Sequence, residues 1–379
     1  MFRYELLDRV GKARLGRLPT PHGTVETPAF MPVGTCASVK GVAPDRLRAA
    51  GVQIVLANTY HLLLRPGPET VAALGGLHRV MAWDRPILTD SGGYQVFSLA
   101  HLRQLDEEGV TFQSHVDGSP VRLTPAEAVR VQRQLGADVI MQLDECPPAG
   151  ADRDHVAAAV ERSALWAARC RDAWQAADGL SAQAKPQALF GIQQGGTDAK
   201  LRAESARKLV QLDLPGYAVG GLSVGEGHEA MCGVLDAVDE LLPADRPRYL
   251  MGVGEPRDIL AAVARGIDMF DCVLPTRNGR NAQAFTWSGR VRLRNARWRE
   301  DARPLDEACD CYCCRNYSRG VLRHLFAARE MLGPTLVSVH NLHFFAELMR
   351  RVRASLADGT FADRSTAWLA AMYAADGQP

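Results

Sequence analysis

Residues 124–146 read TPAEAVRVQRQLGADVIMQLDEC, and the order of signals in that stretch decides the architecture. Thr124, Pro125 and Glu127 together mark the start of a helix: a hydroxyl to cap free amides, a proline whose φ suits the first turn, and a carboxylate three places after the cap. Ala128, Val131 and Leu135 fall on its apolar side, and Gly136 supplies the stop. The run from Asp138 to Leu143 is apolar at Val139, Ile140, Met141 and Leu143 and then ends in Asp144-Glu145-Cys146. A run apolar on both faces, entered from a helix and left through polar residues, is a strand of a parallel sheet covered by helices.

The same unit recurs along the chain. Short apolar runs lie at Ala29 to Val33, Ile54 to Asn58, Ile87 to Thr89, Asp138 to Leu143, Ala188 to Ile192, Gly216 to Val219, Arg248 to Gly252 and Met269 to Leu274, with helix-like segments between them. Eight βα repeats predict an α/β fold of the (β/α)8 TIM-barrel type. Pro256 opens a helix over Arg257 to Arg265 that Gly266 ends, and Ala151 to Ala177 reads as one long helix. Ahead of the barrel, Tyr4 to Leu7 and Ala13 to Arg17, with a turn at His22-Gly23, predict a small antiparallel lid. Residues 295–342 follow strand eight and precede the last helix, so they read as an insertion within one catalytic domain spanning 1–379.

Nine cysteines, an odd number with four of them clustered, suit a reducing compartment better than a disulfide framework. Glu5 and Asp8 stand where a signal peptide would be apolar, and no segment approaches the roughly 20 uncharged apolar residues of a membrane span. A cytoplasmic protein without a membrane partner is expected. The formal net charge of +1 excludes a general polycation. Locally, however, arginines recur from Arg277 to Arg329 against Glu300, Asp301, Asp306, Glu307 and Asp310 alone. A basic face of that kind offers planar forks to phosphates and faces to bases, as an RNA surface requires.

Within the basic segment stands Cys309-x-Cys311-x-x-Cys314, with His340 farther on in Ser-Val-His-Asn. Three thiolates and an imidazole close a zinc tetrahedron without an open position, which marks a structural metal. Cys313 competes in principle with its neighbours. Cys309, Cys311 and Cys314 are the preferred set, because adjacent residues seldom ligate one ion.

In a barrel the site lies at the C-terminal ends of the strands, and here those ends are polar. Strand three runs into Asp90-Ser91-Gly92-Gly93-Tyr94, strand four into Asp144, strand five into Gln194, strand six into Gly220-Gly221-Leu222, and strand eight carries Asp271 a few residues before Arg277 and Arg280. Most such aspartates and glycines are turn formers. Asp271 is different: Phe270, Val273 and Leu274 surround it, and an unpaired buried carboxylate costs several kcal/mol. Asp90 and Asp271 would converge across the mouth, and two converging carboxylates are the equipment for substitution at an anomeric carbon. Asp144, Gln194 and the amides of Gly220 and Gly221 could read a purine edge, with Tyr94 and Met251 on its faces.

TDSGGYQVFSL (89–99), DEC (144–146), FGIQQGG (190–196), AVGGLSVGEG (218–227), YLMGVG (249–254), FDCVLPTRNGRN (270–281) and the CxCxxC with its later histidine together resemble the bacterial queuine tRNA-ribosyltransferases, or tRNA-guanine transglycosylases. The resemblance implies exchange of the wobble guanine of GUN-anticodon tRNAs for the queuosine precursor preQ1. Asp271 would be the nucleophile at ribose C1′ and Asp90 the general acid/base. Ser91, Tyr94, Asp144, Gln194, Gly220, Gly221, Leu222 and Met251 would hold the base, Arg277 and Arg280 the neighbouring anticodon nucleotides. One structural Zn2+ per chain and a homodimer are implied as well. Val224 and Cys146 match the preQ1-using form; Glu255 stands where lysine is common in such sequences. Two rival readings are a non-catalytic tRNA-binding subunit of the same family, and a zinc hydrolase recruiting His61, Asp90 or Asp271, although strand one lacks the His-x-His such an enzyme uses.

Overall fold

The computed structural model describes residues 1–99, 103–148 and 150–374. Eight parallel strands, Ala29–Gly34, Val55–Ala57, Ile87–Thr89, Val139–Met141, Ala188–Gln193, Gly216–Val219, Arg248–Leu250 and Met269–Cys272, follow one another around a closed barrel. Strand eight pairs back onto strand one in parallel, Met269 beside Ala29 and Asp271 beside Met31. Each coincides with one of the eight apolar runs. The inside is filled by Met31, Leu56, Leu88, Met141, Phe190, Ala218, Tyr249 and Met269. The outward side chains pack under the helices, so the strands are buried on both faces except at Val33, Asp271 and Cys272, which are half-buried.

The signals that opened the analysis hold locally. Helix Pro125–Leu135 begins with the Thr124 hydroxyl accepting from the Glu127 amide at 3.2 Å and ends at Gly136 in the left-handed conformation, φ 78°. Only half of the capping box forms, because the Glu127 carboxylate pairs with Arg130. The long helix is Arg153–Gln175, capped by Asp152, and the Pro256 helix is Pro256–Val263.

The N-terminal lid has three antiparallel strands, Glu5–Val10, Ala13–Thr20 and Gly23–Thr27. It covers the end of the barrel where the strands begin, not the mouth. Phe2, Tyr4, Leu18 and Val25 continue the barrel interior. The Tyr4 hydroxyl donates to Asp268 at 2.9 Å, and Arg14 Nε reaches the same oxygen at 3.2 Å.

Two further small sheets were not foreseen: Arg103–Leu105, Val110–Gln113 and Pro120–Leu123 after strand three, and the hairpin Gln283–Thr286 with Gly289–Arg292. The hairpin belongs to a separate small core of Ala284, Leu293, Trp298, Leu305, Cys313, Leu322 and Leu336. Helix Leu332–Ala357 runs out of that core and along the barrel, burying Phe344, Phe345 and Leu348 against it.

Candidate active site and metal centre

Asp271 ends strand eight, where the chain turns into the short helix Leu274–Arg280. Its Oδ1 accepts from the Tyr249 hydroxyl at 2.6 Å and from the Gly252 amide at 2.7 Å. The carboxylate is therefore paired, contrary to the expectation of an unpaired one, and both bonds fall on a single oxygen. Among the described residues, Oδ2 accepts no hydrogen bond. Burial pushes the Asp271 pKa up, while the two hydrogen bonds oppose that push.

Asp90 follows strand three and is held from the end of strand two. Thr59 N donates to Oδ1 at 2.7 Å, Asn58 Nδ2 to Oδ2 at 2.5 Å, and the Thr59 hydroxyl to the Asp90 carbonyl at 2.5 Å. Burial, reinforced by the charge of Asp271, overrides these donors and raises the Asp90 pKa to about 7. A carboxyl poised there can give a proton and take one back near neutral pH.

Asp144, Gln194 and Ser91 form a buried, hydrogen-bonded polar group as well. Asp144 Oδ2 accepts from Gln194 Nε2 at 2.7 Å and Oδ1 from Ser91 Oγ at 3.3 Å; burial lifts its pKa to about 6 against the pull of those bonds. Among the described residues Gln194 Oε1 is buried without a partner, and a Cβ at Gly221, φ 65°, would stand 2.5 Å from it. Glycine is needed there for both the backbone and the space. Of the two amides expected to read a base, that of Gly220 already donates to the Gln193 carbonyl at 3.0 Å. Gly221 lies beside the Cys146 thiol, whose pKa burial pushes up to about 12, so the sulfur stays neutral. Leu222 is buried, Met251 and Val224 half-buried, and Tyr94 is 52% exposed at the start of helix Gly93–Leu99. Arg277 is exposed; Arg280 is half-buried, with Nη1 unpartnered and its pKa lowered by burial and by Arg277. An anion placed between the two guanidiniums would relieve their repulsion.

The donor atoms of Cys309, Cys311, Cys314 and His340 lie within 4.8 Å of one another. The three sulfurs stand 3.7, 3.5 and 3.3 Å from His340 Nδ1. Tetrahedral bonds of roughly 2.3 Å to sulfur and 2.0 Å to nitrogen separate such donors by roughly 3.5 Å. His340 Nε2 donates to the Phe285 carbonyl at 2.7 Å, which leaves Nδ1 facing the sulfurs. This group can coordinate a metal ion. Cys313 points into the small core instead and is fully buried there. Among the described residues, His61 forms no metal-binding group with Asp90 or Asp271.

A protein-family model described as queuine tRNA-ribosyltransferase matches residues 8–374. The chain belongs to the queuine tRNA-ribosyltransferase family. Proteins named queuine tRNA-ribosyltransferase from Sphingopyxis alaskensis, Thermus thermophilus and Zymomonas mobilis are 55%, 54% and 53% identical to it, over 95%, 96% and 95% of this chain and 96%, 92% and 92% of their own lengths. Membership makes the chain an enzyme of the pentosyltransferase type, and it places the barrel, lid and Cys3His group within a known family architecture. No helix among the described residues is long and apolar enough to cross a membrane.

Reading the sequence of this queuine tRNA-ribosyltransferase family member missed Tyr249, Gly252, Asn58 and Thr59, the groups that orient the two aspartates. Tyr249 sits inside the YLMGVG motif, on strand seven. Parallel pairing sets Tyr249 beside Met269, two residues before Asp271, and that register is the signal that would have found it.

Proposed function

We propose that the enzyme exchanges the wobble guanine of GUN-anticodon tRNAs for preQ1, leaving the RNA backbone intact. Asp271 Oδ2 attacks ribose C1′ as the C1′–N9 bond to guanine breaks, and Asp90 protonates the departing base. The ribosyl ester on Asp271 is then opened by N9 of preQ1, whose proton returns to Asp90. Two inversions at C1′ give net retention. Asp144, Gln194, Gly221 and Leu222 read the base edge, with Ser91 bracing Asp144 and Gly220 shaping the wall. Tyr94 and Met251 stack on the base, and Arg277 and Arg280 hold flanking nucleotides. The observation that carries this reading is the asymmetry at Asp271: one oxygen fixed by two donors, the other unencumbered, opposite a carboxyl poised near 7.

On this reading the Cys3His group holds one structural Zn2+, and residues 295–342 are its subdomain within a single catalytic domain, 1–379. The end of that segment lies inside helix Leu332–Ala357, and residues 100–102, 149 and 375–379 of the domain fall outside those described. Tyr312, Val321, Met331 and Leu332 expose apolar surface around the metal lobe, which supports a homodimer formed there. The enzyme works in the cytoplasm.

The test is incorporation of labelled guanine into a GUN-anticodon tRNA by wild type and by Asp271→Asn, with and without preQ1. Incorporation by wild type alone, suppressed by preQ1, is expected. A folded, metal-loaded wild type that binds the tRNA but incorporates nothing would turn the reading to a binding subunit. Guanine exchange unaffected by preQ1 would overturn the choice of incoming base.

A further inference from the structure

Helix Ala199–Val210 follows strand five, and its Arg202 side chain turns back to the end of that strand. Arg202 Nε donates to the Gly196 carbonyl at 2.8 Å and Nη1 to the Gln193 carbonyl at 2.9 Å, so the guanidinium closes the turn that presents Gln194. Nη2 has no partner among the described residues and lies 3.7 Å from the position a Cβ on Gly221 would take. We propose that Arg202 is a positioning residue for the exchange: acting through the Gly221 peptide, it holds a positive charge behind the base site and stabilises the negative charge that builds on the departing purine. This role rests on the base site of the proposed function.

Burial is the first ground. Arg202 is 2% exposed, and a guanidinium taken out of water is costly unless a counter-charge meets it. Its two bonded partners are neutral carbonyls. Glu226, whose field reaches it, accepts instead from the amides of Ser223 and Val224, and the nearby Cys146 thiol stays neutral. Burial brings the Arg202 pKa down to about 10, so the group is still a cation at neutral pH. Holding the turn does not require that charge, because neutral groups already stitch it: Gln193 Nε2 donates to the Arg202 carbonyl at 2.9 Å, and Ser205 Oγ accepts from the Gln194 amide at 3.0 Å.

The reaction supplies the missing anion. As the C1′–N9 bond breaks, its electron pair passes to N9 and spreads through the rings to O6 until Asp90 delivers its proton to the base. An amide N–H reads a carbonyl oxygen and a carboxylate reads N–H groups, so the Gly221 peptide suits O6 and Asp144 suits N1–H and the 2-amino group. The Asp144 carboxylate on that edge opposes the developing charge. A cation behind the Gly221 peptide, in surroundings of low dielectric, offsets it where the charge collects. The electron pair and the proton both end on the base, and Arg202 gains and loses neither.

8-Azaguanine, an acidic guanine analogue whose neutral and anionic forms differ in ultraviolet absorption, is bound to the full-length, metal-loaded enzyme and titrated with pH in wild type, Arg202→Lys and Arg202→Gln. Lysine keeps the charge and glutamine does not, while neither reproduces the paired bonds to Gln193 and Gly196. The bound probe should ionise at about the same pH in wild type and Arg202→Lys and about one unit higher in Arg202→Gln, with kcat for guanine exchange about tenfold lower in Arg202→Gln and largely restored in Arg202→Lys. Equal ionisation in all three, or a loss shared by both variants and confined to KM, shows a structural tie only and overturns the role. Wild type alone gives an answer independent of variant folding. The carboxylates of Asp144 and Asp271 by themselves would raise the pKa of the bound probe above its value in water, so a bound value no higher than the free one supports the role and a raised one sinks it. A wild type that does not bind the probe overturns the base site itself and the role with it, which tells the two failures apart.

Discussion

Replacing Tyr249 with phenylalanine removes one atom from the site, the hydroxyl that donates to Asp271 Oδ1 at 2.6 Å. Tyr249 is fully buried in the barrel interior, so the ring keeps its packing and the loss is confined to the bond. A hydrogen bond to a charged group is worth about 1.5–3 kcal/mol. Its loss falls on the ionised form of Asp271, whose pKa burial already raises and this bond opposes; at about 1.4 kcal/mol per unit, the pKa climbs by roughly one to two units. Below the raised pKa the smaller carboxylate fraction lowers kcat/KM by roughly 10- to 150-fold, and above it a nucleophile no longer held in its attack geometry lowers the plateau. Guanine exchange measured from pH 5 to 9 separates the two effects. The acid limb of kcat/KM should move to higher pH in Tyr249→Phe, because a higher pKa leaves less carboxylate at a given pH, and the plateau should fall. An acid limb at its wild-type position, with wild-type kcat/KM, would refute the assignment of Tyr249 as the group that orients the nucleophile.

Asp90→Asn should abolish exchange and change stability with a definite sign. The folded pKa of about 7 exceeds the unfolded value of a carboxylate, so the native state binds the extra proton and Asp90 costs stability progressively as pH rises through that window; the Tm of Asp90→Asn relative to wild type should be more favourable at pH 8 than at pH 5, read by calorimetry. Asp271→Asn removes the charge that raises Asp90, so the Asp90 carboxyl should titrate below its wild-type midpoint in infrared difference spectra; an unchanged midpoint would show that burial alone sets it. Gly221→Ala places a Cβ 2.5 Å from Gln194 Oε1 at φ 65°, and should raise KM for guanine at least tenfold through a displaced Gln194, measured by steady-state exchange; an unchanged KM would remove Gly221 from the base wall. Cys314→Ser should lose the bound metal, whereas Cys313→Ala should keep it and lose about 1–2 kcal/mol of core packing, checked by metal analysis and thermal melts.

What the sequence disclosed follows a physical division. Eight strands were legible because a barrel strand is apolar on both faces and bounded by turn formers, so its signal is local. Ile87–Thr89 shows how little is needed: three buried residues between Pro86 and Asp90. The sheet at residues 103–123 was not legible, since its strand Pro120–Leu123 buries only Leu123 and lacks an apolar run. The hairpin at 283–292 buries Ala284, Phe285 and Val291, but Thr286, Arg290 and Arg292 interrupt them, so no apolar run forms. Cys313 could not be separated from its neighbours by spacing. Its exclusion comes from helix Tyr312–Asn316, which turns Cys313 toward Leu322 and Leu336 while Cys314 faces His340.

The groups that set the chemistry were hidden for a related reason. Each aspartate is oriented from another strand's end, Asp271 from strand seven and Asp90 from strand two, so their environments are consequences of barrel register. Those environments differ in what they do with charge. Asp271 keeps two donors on one oxygen, and Asp90, buried and within the field of Asp271, is pushed to about 7. A charged Asp271 therefore favours a protonated Asp90, the state needed to protonate a departing base. On the roles proposed above, formation of the ribosyl ester consumes the charge on Asp271 and with it the repulsion that held the proton on Asp90. Asp90 becomes the stronger acid in the step where it must release that proton. Opening of the ester restores the charge and draws a proton back onto Asp90, so the electrostatic coupling of the two carboxyls keeps proton transfer in phase with substitution at C1′.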